Sequence, residues 1–232
     1  MMTQSTPSQN VLHSPLGLRV VPFVLFIALT AGQGLFGDAS AYWLYLIKSL
    51  VGIGLIAWMW PKVAEMRWVL SWEAIVVGVL VFAMWVGIDP YFTHLSDFGE
   101  QQDKDPAPWN PYAFFGPGTP LAYFFVVVRI LGMTFVVPPL EEIFYRSFVY
   151  RYIVKPNFEK VAFNQFHWGG FLGTSLLFGI THDEWLSGIL CGLLYQWLVI
   201  RKNRVGDAMT AHAITNGMLG CYVVIRGAWQ FW

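Results

Sequence analysis

Long apolar runs recur along this chain, and nothing constrains its fold more. Seven stretches approach the roughly 20 mostly apolar residues that a membrane-crossing helix needs. They lie at about 20–36, 41–60, 71–88, 120–137, 166–182, 185–200 and 207–225. Thr30, Gln33 and several glycines interrupt the first, and the fifth is short and glycine-rich. Charge supports the same reading. Only 12% of the 232 residues are charged, where a soluble domain carries roughly 25%. That leaves too little polar surface for a soluble domain of this size. The chain is too hydrophobic for intrinsic disorder. Lys plus Arg and Asp plus Glu both total 14, so no basic excess supports nucleic-acid binding. The expectation is an all-α polytopic bundle of about six to eight transmembrane helices. A polar tail at 1–18 precedes a single membrane domain at 19–232.

Loop charge orients the bundle. Lys62 and Arg67, then Arg146, Arg151, Lys155 and Lys160, then Arg201, Lys202 and Arg204 fall in alternate loops. The loops between them are acidic. Positive loops stay cytoplasmic, which puts the N-terminus inside and the C-terminus outside. The long 89–119 loop, rich in Pro, Gly and aromatics, reads as a partly ordered flap or a plain linker. Cys191 and Cys221 read as small core residues, with neither disulfide nor metal spacing.

Ionisable groups within spans are functional candidates. Pro138-Pro139-Leu140-Glu141-Glu142-Ile143-Phe144-Tyr145-Arg146 reads as a helix broken at its prolines and restarted, with both glutamates in the first turn. Glu142 and Arg146, four apart, share a face and can pair, whereas Glu141 has no local partner. It is either free for chemistry or part of a solvated helix start. Phe178-Gly179-Ile180-Thr181-His182 closes the fifth run, and an imidazole there is a structural group, a general base or a metal ligand. His212 and Asn216, also four apart, are hydrogen-bonding groups aimed at one spot or glue between helices. Lys48 and Arg129 are cations within spans, expected to pair or snorkel.

The three clusters read EExxxR, FxxxH and HxxxN, in that order on different helices. This resembles the CAAX-protease and bacteriocin-processing family of intramembrane glutamic endopeptidases, over about residues 120–225. The resemblance implies a membrane-embedded protease in which Glu141 and His182 activate water. Glu142 with Arg146 would be the supporting ion pair beside Phe178, and His212 and Asn216 would stabilise the oxyanion. It implies a membrane-associated protein or peptide as substrate and a bacterial inner membrane as the compartment. It favours a cofactor-free mechanism over a zinc site, although two His and two Glu are plausible zinc ligands. A non-catalytic scaffold or bacteriocin-immunity protein of the same fold is the alternative, and an ion-coupled carrier a third. Many bacterial members have Gly directly after the motif arginine, where this chain has Ser147. The charge-based topology sets Glu141 and His212 toward the cytoplasm and His182 toward the other side. A single site needs Pro138-Pro139 and Gly169-Gly170 to break or tilt helices, or a recessed 181–184 turn inside the bundle.

Overall fold

The computed structural model describes residues 11–98 and 109–232. The first part of the tail and the centre of the 89–119 loop lie outside them. Every regular element among the described residues is helical, so the molecule is an all-α bundle. The helices are α1 Pro15–Ala31, α2 Asp38–Met59, α3 Trp72–Ile88, α4 Pro111–Phe115, α5 Pro120–Leu131, α6 Val137–Glu142, α7 Tyr150–Val154, α8 Trp168–Gly179, α9 Trp185–Lys202 and α10 Gly206–Arg226.

Among the described residues four segments are long and apolar enough to cross a membrane: Asp38–Met59, Trp72–Phe98 with its helix interrupted after Tyr91, Pro120–Val154 and Gly206–Arg226. All seven apolar runs read from the sequence become helical, and four of them fall within these segments. The run at 166–182 becomes α8, whose 12 residues rise only about 18 Å, short of a roughly 30 Å hydrocarbon core. The first helix also starts earlier than the polar-tail reading allowed. Ser14 accepts a hydrogen bond from Gly17 N and Pro15 opens the helix, the Ser-Pro order that suits an N-cap and first helical residue.

Local caps fix the other starts. Thr119 caps Ala122 N ahead of Pro120. Ser71 caps Ala74 N and also donates to Asp207 Oδ1 at 2.5 Å, joining the starts of α3 and α10. Close approach then sets the pairing of α8 with α9. A Cβ on Gly188 would stand 2.9 Å from Gly179 Cα, and one on Gly192 would stand 2.8 Å from Ser175 Cα. Only glycine permits such a seam. α10 packs against α3, α5 and α9, which puts it at the centre of the bundle.

A charged clasp holds the other side. Arg19 of α1 meets Glu65 Oε1 through Nε at 2.9 Å and Nη2 at 2.5 Å. Ser147 Oγ donates to the same carboxylate oxygen and accepts from Arg19 Nε at 3.0 Å. Ser147 therefore ties α1 and the 60–71 loop to the motif helix. Glu65 is half-buried. Burial alone would raise its pKa, but the Arg19 charge and the Ser147 hydrogen bond outweigh that, and the net direction is down.

Candidate active site

The prolines do not break the motif helix. Pro120–Val154 is one continuous helical run, widened into π-turns at Gly132–Val136 and Ile143–Val149. A π-turn bonds i to i+5 and recurs at functional sites. Here it accommodates the two missing proline N–H groups. Val137 N–H bonds to Gly132 O, one residue further back than in an α-helix. Met133 O then has no backbone donor. Its α-helical donor, Val137, is spent on Gly132, and its π-helical donor would be Pro138, which has no N–H. Asn216 Nδ2 supplies the missing bond at 2.7 Å. Glu141 and Glu142 accordingly end α6 instead of opening a new helix. The helix-start reading is corrected.

Glu142 and Arg146 are both fully buried and form an ion pair, Nε to Oε2 at 3.1 Å. Glu142 Oε1 takes the Nδ1 proton of His212 at 3.0 Å. A carboxylate only accepts, so Nδ1 carries the proton. The Arg146 guanidinium stacks over Phe178, 5.0 Å from the ring centroid, a cation–π contact that explains why an aromatic stands at this position. Phe178 also stacks at 4.7 Å on the His182 ring, and its carbonyl takes the His182 Nδ1 proton at 2.8 Å. A carbonyl likewise only accepts, so a neutral His182 has its Nε2 lone pair free.

The turn that carries His182 is pinned from outside. Leu95 N donates to Asp183 O at 3.0 Å, and Ser96 N donates to Asp183 Oδ1 at 2.8 Å. Trp185 Nε1 reaches Thr93 O at 3.0 Å. Trp85 of α3 closes on the His182 ring at 5.5 Å. These contacts, with the glycine seam, answer the depth problem left by the loop charges. Glu141, His182, His212 and Asn216 all line one cavity of about 300 Å³, near the lower end of small-ligand sites. Glu141 is 8% exposed, and its Oε2 takes no hydrogen bond from any described protein group.

Sequence reading missed other members of the cavity wall. Tyr195 packs 5.2 Å from the His212 ring and donates to Thr215 Oγ1 at 2.7 Å. Glu184 also lines the cavity, and burial pushes its carboxyl upward. Adjacency to His182 was its only sequence signal. Lys48 and Arg129 line the same cavity and are not paired as expected. Neither makes an ion pair with any described residue. Cys191 is buried, but Cys221 is exposed, contrary to the core reading. Among the described residues no group of three or more His, Cys, Asp or Glu side chains is arranged to hold a metal ion.

The fold is that of a helical integral membrane protein, with Glu141, Glu184, His182, His212 and Asn216 around one cavity. Residues 122–218 match the Rce1-like family model, described as type II CAAX prenyl endopeptidase Rce1-like. All seven motif residues fall inside that match, so this part of the chain is similar to that family. Neither a curated protein nor a solved structure matches the chain.

Proposed function

We propose that the protein is an intramembrane endopeptidase that hydrolyses a peptide bond of a membrane-associated protein or peptide. The observation that carries the reading is the convergence of Glu141, His182, His212 and Asn216 on one cavity. In this mechanism Glu141 accepts a proton from water, and the His182 Nε2 lone pair orients that water. The water oxygen bonds to the carbonyl carbon, and the C=O electron pair moves onto oxygen. In that step His212, whose Nδ1 is committed to Glu142, donates from Nε2 as the doubly protonated ring. It and the second N–H of Asn216 hydrogen-bond the oxyanion. One such donor is typically worth about 10²–10³ in rate. The tetrahedral intermediate then expels the amine as the C–N bond breaks, and the proton held by Glu141 passes to the leaving nitrogen. The products are a carboxylic acid and an amine. Arg146 balances Glu142 and holds Phe178 against His182.

The proposed reaction uses no cofactor. Zinc is the disfavoured alternative, and no nucleic acid takes part. The proposed setting is a bacterial cell membrane with the N-terminus cytoplasmic. The test is incubation of the detergent-purified protein with a pool of membrane-proximal peptides, read by mass spectrometry. Products from wild type, absent with Glu141→Ala and insensitive to chelator, are expected. Turnover retained by a folded Glu141→Ala would sink the mechanism, and loss of products with chelator would transfer it to a metal.

One observation favours a second reading. Asn216, Glu142, Arg146 and His212 all make bonds that also serve the fold, as a non-catalytic scaffold or immunity protein would require. Full biological function in a Glu141→Ala, His182→Ala double variant would select it.

A further inference from the structure

Two cations stand in the cavity wall with no acid in ion-pair distance among the described residues. Lys48 lies midway along α2 and is 6% exposed. Its ammonium bonds only Thr30 Oγ1, at 3.1 Å, and stands 4.7 Å from the Phe26 ring centroid and 4.6 Å from that of Tyr45. Arg129 lies in α5, within the Pro120–Val154 run. Its guanidinium stands 4.6 Å from the same Tyr45 ring and 4.7 Å from Trp109. Neither has a carboxylate within ion-pair distance among the described residues. The acids facing the cavity are Glu141 and Glu184, and its other titratable groups include His182 and His212.

An unpaired cation in a membrane span is expensive, and aromatic faces repay only part of the cost. Two on one ring also repel each other. What they offer together is a set of uncommitted donors. The ammonium has three N–H groups, of which one is used, and the guanidinium fork has five that no described protein acceptor takes. A planar fork and a point charge in the wall of one cavity suit a carboxylate.

We infer that Lys48 and Arg129 form a carboxylate-binding subsite in the wall of the active-site cavity. It fixes the register of the peptide on Glu141 through either a chain-terminal carboxylate or an acidic side chain near the scissile bond. The inference rests on the peptidase reading of the cavity and adds a determinant of specificity to it. Lys48 and Arg129 position substrate and take no part in proton transfer.

The test is calorimetric binding to the full-length protein in detergent at pH 7. The probes are acetyl-Phe-Val-Ile-Ala as free acid, the same peptide as its amide, and acetyl-Phe-Val-Asp-Ala amide, with inorganic phosphate as a control. One charge-assisted contact should make at least one acidic peptide bind about tenfold tighter than the neutral amide. A gain by the free acid assigns the chain terminus, and a gain by the Asp peptide assigns the side chain. Lys48→Met and Arg129→Gln should each erase the gain, read as the ratio of acid to amide affinity within each variant, while Lys48→Arg should retain it. Lys48→Met should also leave the thermal midpoint unchanged or raised, because it removes an unpaired buried charge. Equal binding of all three peptides, a gain that survives both neutral variants, binding of phosphate alone, or a lowered midpoint in Lys48→Met would each overturn the subsite. Acid-selective binding without turnover would sink the peptidase reading alone. Turnover without acid preference would sink the subsite alone.

Discussion

Asn216 and Pro138 should be energetically coupled although they sit on different helices. Pro138 deprives Met133 O of a backbone donor, and Asn216 Nδ2 replaces that donor at 2.7 Å. In Asn216→Ala the carbonyl is left unpaired in the interior, which costs about 1–3 kcal/mol. In Pro138→Ala the backbone recovers an N–H at the position that a π-turn directs toward Met133 O, so the side-chain donor is no longer needed. The second substitution should therefore absorb much of the cost of the first. Polar contacts between membrane helices typically show coupling of about 0.6 kcal/mol and at most about 1.7. The short distance and the lack of any alternative backbone donor put this pair toward the upper end, at about 1–1.5 kcal/mol. The assay is a double-mutant cycle on reversible unfolding in mixed micelles titrated with dodecyl sulfate. Additivity within about 0.3–0.5 kcal/mol would refute the argument that the proline created the need for the amide.

The Glu65 clasp makes stability depend on acid. Its pKa is lowered on folding, so its contribution is present above the ordinary carboxylate range and is lost as pH falls through the lower folded value. Glu65→Gln should destabilise the protein at neutral pH and flatten the acid limb of a midpoint-versus-pH curve, and an unchanged limb would refute the clasp. Gly188→Val would drive a side chain into the Gly179 backbone 2.9 Å from its Cβ. It should cost about 1–3 kcal/mol and reduce any cleavage through displacement of His182, which a wild-type midpoint and rate would disprove. Thiol labelling in micelles should modify Cys221 well before the buried Cys191, and equal rates would contradict the packing of α9.

The all-helical membrane class was legible because composition and long apolar runs set the solvent the chain must satisfy. The Glu142–Arg146 pair was legible too, since four-residue spacing puts both side chains on one helical face wherever the helix goes. Nothing local, however, separated α8 from a spanning helix. Its length was set by the turn at 180–184, and that turn is held by Asp183 reaching residues 95 and 96, contacts that lie far apart in sequence. Lys48 and Arg129 were legible as costly, but their lack of acids became visible only with their neighbours in place.

Residue type and spacing thus determined by themselves that the chain suits a membrane and which side chains are candidates for chemistry, because solvation cost and helical periodicity are local. Whether those side chains share one cavity was decided by the fold. The π-turns keep the motif helix continuous through two prolines, and the glycine seam brings α8 onto α9 so that His182 comes to the cavity of Glu141 and His212. Convergence of this kind depends on backbone approach between helices, which no single segment encodes.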